Sequence, residues 1–148
     1  MAVLHRPVDT GNTSPRIVLA DDNPAMLDMV FRVLEPEFRI VGTVGNGRDL
    51  IRAATELQPD VLIVDISMPS LNGLEAARQL TGEDSGARIV ILTVHEEREF
   101  VEESLVAGAL GYVVKPRLAT DLPVAVREAL MGRTFVSPMR PSSQVGSD

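Results

Sequence analysis

Val61-Leu62-Ile63-Val64-Asp65 is the stretch that decides how this chain folds. It is an apolar run too short for a helix, bounded by Pro59-Asp60 before and Met68-Pro69 after. Such a run is a strand buried on both faces, as in parallel sheets. A carboxylate at its carboxyl end faces the crevice where open α/β sheets bind ligands. A second apolar run, Arg16-Ile17-Val18-Leu19-Ala20, ends the same way, on Asp21-Asp22. If the two strands are neighbours, three carboxylates converge.

Working outward, short apolar runs alternate with amphipathic segments. Asn23-Pro24 supplies an N-cap with Pro behind it, opening a helix to about Leu34. A strand follows over Phe38–Val44, and a helix from Arg48 to about Leu57. After the Val61–Asp65 strand, a third helix runs from Gly73 to about Leu80. A fourth strand spans Arg88–Thr93, a fourth helix Glu97 to about Val106, a fifth strand Leu110–Val114 and a last helix Asp121 to about Met131. Five βα units imply a doubly wound α/β fold, a parallel sheet with right-handed crossovers and helices on both faces. The expected organisation is a flexible leader over 1–14, one domain over 15–136 and a flexible tail over 137–148.

With 148 residues and 45% hydrophobic content, the chain can bury the core of a single domain. A net charge of −7, with no Lys/Arg cluster, argues against direct binding to nucleic acid or an anionic membrane. The absence of cysteine excludes disulfides, thiolate nucleophiles and Cys-based zinc sites. No run is long enough to span a bilayer and the N-terminus lacks a signal-peptide core, so a cytoplasmic location is expected.

The polar residues that end the strands make one set: Asp21 and Asp22, Asp65, Thr93 and Lys115. Singly, each is a turn former, a strand residue or a solvated lysine. Together they carry a chemistry. Two carboxylates a few ångströms apart repel by roughly 3–4 kcal/mol at an effective dielectric of about 20, so such a cluster takes up a proton or a cation. Hard oxygen donors favour Mg²⁺ over zinc. A cation beside a carboxylate can polarise a phosphoryl group, the lysine and threonine can bind its other oxygens, and an aspartate can become an aspartyl-phosphate.

Four segments carry a resemblance. They are Ile17-Val-Leu-Ala-Asp-Asp-Asn-Pro24, Val61–Pro69 with Leu71-Asn-Gly-Leu-Glu75, Ile89-Val-Ile-Leu-Thr-Val-His95 and Gly108-Ala-Leu-Gly-Tyr-Val-Val-Lys-Pro116. In these the chain resembles the receiver domains of bacterial two-component response regulators, over about Arg16 to Phe135. The resemblance implies a flavodoxin-like sheet in the order 2-1-3-4-5. It implies that Asp65 accepts a phosphoryl group from a histidine kinase, with Mg²⁺ held by Asp21, Asp22, Asp65 and the backbone carbonyl of Ser67. Thr93 and Lys115 would contact the phosphoryl oxygens, Tyr112 would be the switch aromatic, and Lys115-Pro116 a cis peptide. Ser67, Val94 and His95 would tune the lifetime of the phosphoryl group. The surface of the fourth helix, fifth strand and fifth helix would change on phosphorylation, leaving a phosphorylation-driven homodimer open.

On this reading the chain is a phosphoacceptor that catalyses its own phosphotransfer and slow hydrolysis, and is not a conventional enzyme. Ala129–Pro138 resembles the end of receivers that precede a LuxR-type helix-turn-helix, so the expected output is a transcriptional domain outside this chain. The alternatives are a Mg²⁺-dependent phosphohydrolase with an aspartyl nucleophile and a stand-alone protein-binding receiver. The first usually carries an acid two residues after the nucleophile, where this chain has Ser67. Gly45-Asn46-Gly47 lacks the third glycine of a dinucleotide fingerprint, since Leu50 holds its place, and is read as a turn. The acidic run Glu96–Glu103 is read as a solvated helix face, with a signalling role as a partner surface left open because in this fold that helix lies beside Tyr112.

Overall fold

A computed structural model describes residues 14–68, 72–82 and 86–139. The strands are β1 (Arg16–Ala20), β2 (Arg39–Val44), β3 (Val61–Val64), β4 (Arg88–Thr93), β5 (Gly111–Val114) and β6 (Phe135–Val136). The helices are α1 (Pro24–Leu34), α2 (Gly47–Leu57), α3 (Gly73–Gly82), α4 (Arg98–Val106) and α5 (Leu118–Leu130). All strand pairs are parallel, in the order β2-β1-β3-β4-β5-β6. The expected 2-1-3-4-5 order holds for the first five strands, and a short sixth adds to β5.

Alternation along the strands divides the core into two layers. Val18, Ala20, Leu62, Val64, Ile89, Ile91 and Tyr112 face Leu50, Leu74, Ala77 and Leu80 of α2 and α3. Ile17, Leu19, Val61, Ile63, Val90, Leu92 and Val113 face Val30 and Leu34 of α1 and Leu122, Ala125, Val126 and Ala129 of α5. Every residue of β3 and β5 is buried, which is why they read as unbroken apolar runs.

Helix starts follow their caps. The side chain of Asn23 accepts from the Ala25 N–H at 3.0 Å and Pro24 opens α1. Asn46 accepts from the Asp49 N–H at 2.9 Å, so the Gly45-Asn46-Gly47 turn serves as the cap of α2. At the other end of α2, Gln58 takes the left-handed conformation with φ 48°.

Three expectations need correction. The Lys115–Pro116 peptide is not cis: no described residue has a cis bond. The chain passes from β5 straight into a 3-10 turn over Lys115–Arg117, and a trans proline suits the first turn of a helix. That turn runs directly into α5, which therefore starts at Leu118 rather than Asp121. The expected tail from 137 begins too early, because the Ser137 N–H donates to the Tyr112 carbonyl at 2.8 Å and Met139 packs partly buried against the core. Residues 1–13, Pro69 to Leu71 of the quoted motif, and 140–148 lie outside the described residues.

Candidate functional site

The site lies along the carboxyl edge of the sheet, where β1, β3, β4 and β5 end side by side. Backbone pairing continues one residue past the strands. The Asp21 N–H donates to the Val44 carbonyl at 3.0 Å and the Asp65 N–H to the Ala20 carbonyl at 2.9 Å. Both aspartates are thus rooted in the ladder while their side chains extend beyond it. Asp21 and Asp65 are buried and Asp22 is exposed. One carboxylate oxygen from each of the three lies within 4.8 Å of the others.

Lys115 reaches back over this cluster. Its Nζ is 3.0 Å from Asp21 Oδ2 and 3.6 Å from Asp65 Oδ2, with only 14% of its side chain exposed. A trans peptide therefore suffices to bring the ammonium into the site. Asp21 Oδ1 accepts from the Asn23 N–H at 2.9 Å. Its buried Oδ2 has no hydrogen bond; the ammonium is close enough for an ion pair but is not aligned to donate to it.

Asp65 Oδ1 accepts from the Ser67 N–H at 3.3 Å. Burial pushes the Asp65 carboxyl above its ordinary range. Lys115 and the Ser67 N–H pull it down, while Asp21 and Asp22 add to the upward push. A buried acid flanked by two others, with one ammonium between them, holds more negative charge than the lysine neutralises. Hard oxygen donors, a buried carboxylate oxygen without a hydrogen bond and an exposed Asp22 at the rim fit Mg²⁺.

Gly73 sits beneath Asp65. Its N–H donates to the Ile66 carbonyl at 2.9 Å, and a Cβ there would overlap the Asp65 carbonyl oxygen. Only glycine lets the start of α3 come this close to the backbone of Asp65. The glycine of the quoted Asn-Gly pair has this physical cause, while Asn72 accepts from the Glu75 N–H at 3.0 Å at the start of α3.

Beyond the carboxylates, Thr93 is buried at the end of β4, and its Oγ1 accepts from the His95 N–H at 3.3 Å. Tyr112 is fully buried and its hydroxyl donates to the His95 carbonyl at 2.8 Å. Burial, with Glu97 and Glu96 behind it, pushes that phenol well above its ordinary range, so it stays a donor. The His95 ring stacks on Phe100 at 4.3 Å, with Nδ1 3.7 Å from Glu97. Val94 and Ser67 stand at the surface. The acidic residues of α4 from Glu99 to Glu103 are exposed, as expected of a solvated face.

The geometry joins Asp21, Asp22, Asp65 and Lys115 directly, places Thr93 at the end of the neighbouring β4 and holds Tyr112 within β5. Residues 17–127 match the family model of the response regulator receiver domain. This chain belongs to that family. A curated relative, the uncharacterized transcriptional regulatory protein YxjL of Bacillus subtilis (strain 168), is 36% identical over 122 residues, which make up 81% of this chain and 56% of that protein. The transcriptional regulatory protein DegU of Brevibacillus brevis is 33% identical over 125 residues, 83% of this chain and 53% of DegU. This receiver thus spans about half the length of the curated relatives it matches. Among solved structures, a LuxR-family two-component response regulator from Aurantimonas sp. SI85-9A1 superposes with a TM-score of 0.80 at 33% identity, covering 85% of this chain and 91% of that one.

Sequence reasoning missed one buried polar group of this receiver. Asp121, on α5, takes Arg117 Nε at 2.7 Å and the Ser137 hydroxyl at 2.7 Å on the same oxygen, Oδ2. Its partners are Thr120 beside it, Arg117 four residues before and Ser137 sixteen after, and the contact with Ser137 has no local signal in the sequence.

Proposed function

We propose that Asp65 is the phosphoacceptor of this receiver, charged by a histidine kinase, and that Lys115 and Thr93 read the phosphoryl group. The observation that carries this is Lys115 Nζ lying between Asp21 and Asp65 over three clustered carboxylates. In the transfer an Asp65 carboxylate oxygen forms the bond to phosphorus as the bond to the donor breaks. Asp21, Asp22, Asp65 and the Ser67 carbonyl are the residues to hold Mg²⁺, which when bound offsets the charge on the transferring group. The Lys115 ammonium, already within 3.6 Å, exchanges its contact with carboxylate for one with a phosphoryl oxygen. Thr93 supplies a hydroxyl from the adjacent strand. Ser67, Val94 and His95 border the group and set how long it survives hydrolysis.

Phosphorylation adds roughly 1.5–2 negative charges and three acceptor oxygens. As Thr93 turns towards them it withdraws from the His95 N–H, and the Tyr112 bond to the His95 carbonyl shares the same loop. The switch runs through that loop to the surface of α4, β5 and α5, where a second copy or another domain reads it. A transcriptional output is inferred from the relatives' names.

Incubation with acetyl phosphate, with and without Mg²⁺, followed by intact-mass spectrometry, tests the reading. One Mg²⁺-dependent phosphoryl adduct, absent from Asp65→Ala, is expected. Steady phosphate release without an adduct would instead indicate a phosphohydrolase.

A further inference from the structure

The buried group on α5 brackets the phosphoryl-reading lysine from both sides. Before Lys115, the Val114 N–H donates to Ser137 Oγ at 3.2 Å. After it, Arg117 donates to Asp121 from Nε at 2.7 Å and from a second guanidinium nitrogen at 3.3 Å. The Ser137 hydroxyl closes the circuit by donating to Asp121 Oδ2 at 2.7 Å. Ser137 is itself seated by its N–H on the Tyr112 carbonyl. Asp121 and Ser137 are both buried, 5% and 1% exposed, where unsatisfied polar groups are costly.

We propose that Ser137 and Asp121 are positioning residues: their clasp on Val114 and Arg117 fixes where Lys115 projects and ties that position to β6. The proposal rests on Lys115 being the phosphoryl-contacting lysine. Among the described residues, the side-chain hydrogen bonds and ion pairs of Asp121 and Ser137, with the Ser137 N–H, go to Arg117, Thr120, Val114, Tyr112 and each other and not to the carboxylate cluster, so their effect passes through the backbone of Lys115. Residue 137 lies beyond the 17–127 segment that carries the family match, so the clasp joins the site to chain outside that segment. Coupling of this kind is reciprocal. A phosphoryl group that draws Lys115 inward moves the 3-10 turn and hence the seat of Ser137. Whatever restrains β6 also biases Lys115.

The test uses the full chain as wild type, Ser137→Ala, Asp121→Asn and, since its side chain is partly exposed and its loss leaves the core intact, Arg117→Ala. Three quantities are measured for each: thermal midpoint, Mg²⁺ affinity without donor, and the rate of adduct formation with acetyl phosphate and Mg²⁺. Expected are Mg²⁺ affinities close to wild type with phosphorylation slowed roughly tenfold, a smaller effect than a full ångström's misplacement of a reacting group can cost. Amide hydrogen exchange adds a second readout: phosphorylation changes protection at Ser137 in the wild type and leaves it unchanged in Arg117→Ala. Wild-type phosphorylation rates in the variants, or Mg²⁺ affinity and rate falling in parallel with the thermal midpoint, would overturn the clasp alone. No adduct on the wild type would overturn the phosphoacceptor reading, and the clasp's role with it.

Discussion

At the scale of the residue, the site is defined by charges the fold holds together at a cost. Burial and two neighbouring carboxylates raise Asp65 against the pull of Lys115. In metal-free protein at neutral pH, ionised Asp65 therefore weakens the folded state. Asp65→Asn is expected to raise the metal-free thermal midpoint by roughly 2–4 °C, about the effect of 1 kcal/mol in a domain of this size. Mg²⁺ should stabilise the wild type and do little for the variant; calorimetry with and without the ion checks both halves. Asp121 behaves oppositely. Burial pushes its carboxyl up, but the donors Arg117, Ser137 and Thr120 outweigh burial and leave it below its ordinary range. A depressed carboxyl contributes stability that is present above its unfolded value and lost as pH falls through the folded one. Ser137→Ala removes one of those donors, so its acid-unfolding midpoint, followed by circular dichroism, should move to higher pH than in the wild type.

At the scale of the element, two features separate what holds the site from what moves. The close approach of α3 to Asp65 depends on Gly73. Gly73→Ala must push the helix or the Asp65 backbone aside, and a loss of about 1–3 kcal/mol in urea unfolding, the usual cost of overpacking, should come with weakened Mg²⁺ binding. By contrast α4 buries only Ser104 of its nine residues, whereas six residues of α5 are buried. Elements with little buried surface open most readily. Amide exchange should therefore be fastest in α4 among the five described helices, and uniform protection across α4 and α5 would contradict the proposal that α4 moves. The same contrast explains what was legible in the sequence. Strands β3, β4 and β5 announce themselves because both faces are buried, and each ends abruptly on Asp65, Thr93 or Lys115. The sheet order follows from βα alternation and from the resemblance. The two-residue β6 is too short to show any period, and it is recognised only by pairing with β5. The start of α5 was hidden because Pro123 lies inside the helix, where proline normally argues for a first turn. The trans Lys115–Pro116 bond follows from the 3-10 turn, which the residue pair alone does not reveal.

At the scale of the whole molecule, the proposed metal site and switch share one sheet edge. Parallel strands deliver Asp21, Asp65, Thr93 and Lys115 to the same side because every crossover returns to the same end of the sheet. Helices α1 and α5 close one face and α2 and α3 the other, so the carboxyl edge is where a phosphodonor can approach. No helix among the described residues is long and apolar enough to cross a membrane. Turning such a domain from mostly off to mostly on takes about 5 kcal/mol of differential stabilisation, which a charge-assisted phosphoryl–lysine contact beside a divalent ion can supply. The proposed switch depends on the phosphoryl group residing on Asp65. The most direct measurement is borohydride trapping after acetyl phosphate and Mg²⁺ treatment, followed by peptide sequencing by mass spectrometry. Reduction of an aspartyl-phosphate converts that aspartate to homoserine. Homoserine is expected at position 65 and nowhere else. Homoserine at position 21 or 22, or a stable phosphoryl group on His95 with position 65 unmodified, would contradict the proposed switch.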